Sequence, residues 1–124
     1  MVIDSNILID HLRAKNKLST NFYQLLLSKK ELFISAVSIY EIYLGAPTED
    51  KRYGIELLIE GITILPFDYQ ASLLAAQIYR QLKSKNQLIE FRDIFIAATC
   101  LNHRLPIATL NKKHFERIEG LEIV

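Results

Sequence analysis

The chain has 124 residues, half of them apolar, and its 15 Lys and Arg almost cancel its 14 Asp and Glu, leaving a formal net charge of +1. That is enough for one domain, residues 1–124 around a single core, and the composition is not that of a disordered, fibrous or disulfide-dense chain. The lone cysteine, Cys100, excludes an internal disulfide and a cysteine-based zinc site. No apolar run is long enough to span a membrane, and the N-terminus lacks the pattern of a secretory signal, so a cytoplasmic protein without membrane contact is expected. The balanced charge leaves a nucleic-acid partner open, because phosphate is attracted by a local basic face and not by the total.

Met1-Val2-Ile3 runs into Asp4-Ser5-Asn6. A strand this short must be buried on both faces, which puts Val2 and Ile3 in mid-sheet and Asp4 at the strand's carboxyl end, the edge where open parallel sheets bind ligands. Asp4 or Ser5 caps a helix through about Arg13 with Ile7, Leu8 and Leu12 inward. Asn21 to Ser28 reads as a second helix, Leu32 to Ser35 as a buried strand, and Ala36 to Ala46 as a helix stopped by Gly45 and Pro47. Glu49 to Glu60 is helical, and Ile62 to Leu65 is a strand cut off by Pro66. A long helix from Asp68 to Lys83 repeats apolar residues every three or four positions, and Glu90 to His103 is apolar almost all round, which marks a central helix against the sheet. Pro106 to Thr109 is a strand, Asn111 caps a short helix to about Ile118, and Leu121 to Val124 is a terminal strand after Gly120. Strands alternating with helices in this way predict an α/β fold with a mostly parallel sheet of about five short strands.

Three carboxylates lie among apolar neighbours: Asp4 after Val2-Ile3, Glu41 within Val37 to Leu44, and Asp93 within Phe91 to Phe95. Each has an ordinary explanation. Asp4 can cap its helix, Glu41 can form a salt bridge, and Asp93 can sit in a first turn because the helix dipole favours an acid there. Together, without a cysteine or a histidine pair, they form an oxygen-rich set suited to Mg2+ or Mn2+. Phosphodiester cleavage is the natural reaction for such a set. Asn6 and Asn111 offer neutral oxygens, and Asn111 serves equally well as a plain cap.

Four segments carry a resemblance: Val2 to Asn6, Ser35 through Glu41 to Gly45, Asp93 to Ala98, and Thr109 to Phe115. In this order and spacing the chain resembles the PIN-domain ribonucleases, in particular the VapC toxins of toxin–antitoxin pairs. The resemblance implies a three-layer sandwich around a parallel sheet and a metal-dependent endoribonuclease. It also implies metal ligands at Asp4, Glu41 and Asp93, and a fourth catalytic position at Asn111. RNA as substrate, a cognate antitoxin and a homodimer are implied with it. Relatives often carry Asp near that fourth position, where this chain has Asn111 and His114. Glu90, just before the central helix, reads as a helix-start charge.

The remaining candidates have plain readings. His11 and His103 near helix ends read as surface or capping residues, His114 as packing beside Phe115, and Cys100 as core. Arg13, Lys15, Lys17, Arg92, Lys112 and Lys113 flank the proposed cleft and would follow an RNA backbone or simply be solvated. Tyr40 and Tyr43 suit either a partner or the core. Three other functions compete. A signalling receiver wants an adjacent acidic pair after the first strand and an acceptor Asp, for which only Asp68 can be offered. A haloacid-dehalogenase-like phosphatase wants a second Asp where Asn6 stands. A non-catalytic PIN scaffold has no need of all three acids.

Overall fold

The computed structural model describes all 124 residues. In chain order the elements are β1 (Val2–Ile3), α1 (Ser5–Arg13), a 3-10 turn (Lys17–Ser19), α2 (Asn21–Leu27), β2 (Phe33–Ser35), α3 (Ala36–Leu44), α4 (Glu49–Ile59), β3 (Thr63–Leu65), α5 (Tyr69–Ser84), α6 (Phe91–His103), β4 (Ile107–Ala108) and α7 (Lys112–Phe115). The four strands form one parallel sheet in the order β3-β2-β1-β4. Val2 pairs with Phe33 on one side and Ile107 on the other, so the two-residue β1 is central.

Strand alternation divides the core into two layers of contacts. Val2 and Ile107 face α5 and α6, where Ile78, Leu82, Ile94 and Ile96 pack. Ile3, Ile34 and Ala108 face the other way, against Ile7 and Leu8 of α1, Phe22 of α2 and Ile42 of α3. Helices therefore cover both faces of a parallel sheet, as crossover connections require. β3 is one edge of the sheet, with Thr63 and Ile64 exposed.

The expected fifth strand is reduced to a single parallel bridge between Ile107 and Ile123. β4 offers only two residues to pair with, and Gly120, at φ +82, turns the chain just before the last four residues. Leu121 and Ile123 still pack on the α5–α6 side of the core, so the segment is held by side chains more than by a ladder.

Side chains at helix starts fix where the elements begin. Asp4 accepts from the Ser5 amide, Ser35 from the Ser38 amide, and Asp68 from the Ala71 amide. Asn111 does not behave as expected: its side chain makes no capping bond to α7. That helix is one turn long, and the amide group turns instead toward His114.

Candidate active site

Four segments meet at the carboxyl edge of the sheet: the end of β1, the middle of α3, the first turn of α6 and the loop after β4. Asp4 lies where extended backbone (φ −71, ψ 152) gives way to α1, and its side chain is 3% exposed. Its Oδ1 accepts from the Ser5 amide at 2.8 Å, and its Oδ2 accepts from the Thr109 hydroxyl at 2.7 Å. The capping explanation is thus correct but incomplete, since Asp4 also takes a bond from the far end of the chain. Burial is the main cause that pushes its carboxyl up to about 6, and the charges of Asp93 and Glu41 push the same way, against the Thr109 and Ser5 hydrogen bonds.

Glu41 projects from α3 toward α1 and α6. It accepts from the Ser5 hydroxyl at 3.2 Å and lies 3.8 Å from the Arg92 guanidinium. Burial holds its carboxyl above the usual range; Ser5 and Arg92 counter this, and Asp93 and Glu90 reinforce it. The salt-bridge explanation therefore holds only loosely, because Arg92 is shared with the closer Glu90. Asp93 is 16% exposed, and its carboxylate takes its one side-chain bond from His114 Nδ1 at 3.0 Å.

Asn111 supplies its backbone N–H to the Thr109 hydroxyl oxygen at 3.0 Å, and its amide group lies 2.7 Å from His114 Nδ1. Asn6 holds the same loop from α1, donating to Thr109 Oγ1 at 3.4 Å and accepting from the Leu110 amide at 3.2 Å. No buried side-chain polar atom in the protein lacks a partner. Asp4, Glu41, Asp93 and Asn111 thus share one neighbourhood, with Ser5, Thr109 and His114 between them.

No three His, Cys, Asp or Glu side chains stand at ligating separation from a common point. The carboxylates feel one another's charge, but each is turned to its own donor: Thr109 for Asp4, Ser5 for Glu41 and His114 for Asp93. The donor set is nonetheless chemically right for a hard cation, with carboxylate, amide and hydroxyl oxygens and no sulfur. Cys100 is buried in the core, its thiol pushed up to about 12 by desolvation, and takes no part.

Several readings change. His11 is buried and not at the surface; its Nδ1 pairs with the Thr20 hydroxyl at 2.6 Å, and its ring meets Phe22 edge-on. Lys17 is not free to follow a backbone, because its ammonium donates to the last carbonyls of α1, those of His11 and Leu12. His114 contacts the acidic cluster, where the sequence suggested packing. The sequence offers Ser5 only as a cap and Thr109 only as the end of a strand; their hydroxyl bonds to Glu41 and Asp4 carry no signal until distant elements are brought together. Asp68 is used up as the cap of α5, which removes the acceptor a receiver domain needs.

Comparison with known proteins bears on the family and the fold. A family model described as PIN domain matches residues 1–121. Ribonuclease VapC1 of Methanocaldococcus jannaschii is 31% identical over 128 residues, covering 99% of this chain and 85% of the relative. Ribonuclease VapC1 of Rickettsia felis is also 31% identical, over 131 residues covering 100% and 94%. Among solved structures, DNA-bound VapBC from Salmonella typhimurium superposes with a TM-score of 0.87 at 25% identity, covering 99% of this chain and 95% of that one. The VapBC2 complex of Rickettsia felis, at 20% identity over 99% and 96% of the two chains, reaches the same TM-score and shares the fold. The chain belongs to the PIN-domain family, within its VapC group.

Proposed function

We propose that the chain is a metal-dependent endoribonuclease acting as the toxin of a toxin–antitoxin pair, with Asp4, Glu41 and Asp93 holding Mg2+ or Mn2+. One observation carries this reading: three carboxylates from β1, α3 and α6 are gathered where burial and mutual repulsion raise both Asp4 and Glu41. Keeping like charges together in a desolvated place is unfavourable unless a cation shares them. The relatives named as VapC ribonucleases support RNA as the substrate.

A divalent ion bound there would supply an acidified water and neutralise charge on the phosphoryl oxygens. The chain's own residues orient and exclude. Thr109 and the Ser5 amide fix both oxygens of Asp4, while Ser5 Oγ spans the gap to Glu41. Arg92 lies beside Glu41 with a guanidinium able to meet a phosphate, and Lys112 and Lys113 are exposed on α7.

A groove of about 580 Å3 between α1, α3 and α4 supports a protein partner. Ile9, Leu12, Leu44 and Ile55 give it an apolar lining, and Glu41 lines it too, with Arg13 and Lys51. An antitoxin segment of apolar residues closed by an arginine fits both features, since a planar guanidinium pairs with carboxylates at two points. On this reading the partner runs along Leu44 and Ile55. Tyr40 opens onto a separate aromatic groove, and Tyr43 packs partly into the core.

Cleavage of RNA with and without EDTA, mapped by sequencing for the protein and its Asp4→Asn form, tests the reading. The expected result is specific cutting that needs Mg2+ or Mn2+ and vanishes in the variant. Cutting indifferent to EDTA, or equal in both proteins, would remove the proposed chemistry.

A further inference from the structure

Resting on the reading above, we propose that His114 is a positioning residue for Asp93, and that the segment Thr109–His114, running from the loop after β4 into α7, is a strap setting the two carboxylates of β1 and α6 at a fixed spacing. The strap is continuous. Thr109 donates to Asp4 Oδ2, the Asn111 amide N–H donates back to Thr109, the Asn111 side chain meets His114 Nδ1, and that nitrogen meets Asp93 Oδ2. Both ends are anchored. Asn6 pins the Thr109–Leu110 end from α1, and Phe115, next to His114, is fully buried.

Asp93 needs such a hold. It sits in the first turn of α6 beside two like charges, and it makes no bond to the helix's own amides. Without a partner its carboxylate would swing away from Asp4 and Glu41 toward water. A carboxylate only accepts, so the contact with His114 is attractive when the proton is on Nδ1. One ring nitrogen cannot donate and accept at once, so in that tautomer Asn111 presents its amide oxygen, the two ends of an amide being interchangeable in outline. Oδ2 is then held, and Oδ1 stays free to face a cation. Partners of this outer kind orient ligating groups, and losing one costs about 10-fold to 100-fold in metal affinity.

The side chain of asparagine can place its Nδ2 close to where histidine places Nδ1, so two substitutions separate positioning from bulk. Mn2+ affinity is measured by calorimetry for the unaltered protein, His114→Ala and His114→Asn, alongside kcat, KM and melting temperature. The expected result is Mn2+ binding weakened about 10-fold or more in His114→Ala, with kcat lowered, KM little changed and the melting temperature preserved. His114→Asn should recover affinity to within a few-fold. Equal affinity in His114→Ala, or equal impairment in both variants, would overturn the proposal. So would tighter binding in His114→Ala, which would make His114 a competitor for Asp93. No Mn2+ binding by the unaltered protein would overturn the metal-dependent reading and this inference with it, whereas normal binding and cleavage with indifferent variants would overturn the inference alone.

Discussion

Thr109 donates its hydroxyl hydrogen to Asp4 Oδ2 across 2.7 Å, joining two residues 105 positions apart at neighbouring strand ends. The bond works against burial: it pulls the Asp4 carboxyl down while desolvation, the larger effect, drives it up to about 6. It follows that metal uptake, and with it cleavage at subsaturating Mg2+ or Mn2+, should fall as the pH drops through about 6, because the protonated acid cannot share a cation. Thr109→Val removes the hydroxyl at nearly constant volume and should move that inflection upward, while Thr109→Ser should restore it. A pH–rate profile for the three proteins checks this, and superimposable curves would exclude Thr109 from the electrostatics of the site.

The same shift has a consequence for stability. Asp4 is raised above its unfolded value of 3.8, so its burial favours folding most fully below about pH 4, and that advantage is lost as the pH rises through about 6. Near neutrality the ionised, crowded Asp4 therefore costs on the order of 2 to 3 kcal/mol. Asp4→Asn should abolish cleavage yet melt no lower than the parent at pH 7, with the gap closing toward pH 4. Inactivity accompanied by a large drop in melting temperature would assign Asp4 a structural role instead.

Much of this arrangement is legible in the sequence, and the reason is periodicity. Val2-Ile3 before Asp4, and the all-round apolar α6 carrying Asp93, state their places through hydrophobic pattern alone. The three acids are conspicuous because apolar neighbours surround them. Thr109, Ser5 and His114 are not, since each acts through a partner more than 20 residues away, and only the sheet order brings those partners near. The terminal strand expected over Leu121 to Val124 is reduced to one bridge for a related reason: a two-residue neighbour cannot extend the ladder.

Asn111 gives a sharper contrast. Because its side chain makes no capping bond, Asn111→Asp has no cap to preserve, and its effect should be electrostatic. Added negative charge beside Asp93 and His114 should tighten Mn2+ binding, which a titration of both proteins would reveal. Identical affinities would remove Asn111 from the set of functional residues.

Gly54 lies inside α4 with nothing within 4 Å of where a Cβ would stand. Glycine within a helix is unfavourable relative to alanine by about 0.5 to 1 kcal/mol, so Gly54→Ala should raise the melting temperature without affecting cleavage. Thermal unfolding monitored by circular dichroism would show it; a fall would mean that α4 tolerates no side chain there.

The open face at Gly54 also bears on the partner, because Gly54 and Glu41 line the same groove. If an antitoxin segment fills this groove and sets an arginine against Glu41, a bulky side chain at Gly54 should obstruct it without touching Asp4, Asp93 or His114. Expression of the chain alone should arrest growth, and co-expression of the small protein encoded beside it should restore growth. With Gly54→Phe the arrest should persist despite the neighbour, while RNA cleavage by the purified variant stays unchanged. Replacing with glutamine whichever arginine the neighbour sets against Glu41 should likewise fail to protect, since glutamine brings no charge to the carboxylates. Full rescue of the Gly54→Phe protein would place the partner elsewhere on the surface. Harmless expression of the folded, metal-binding chain would leave a PIN nuclease that is not a toxin.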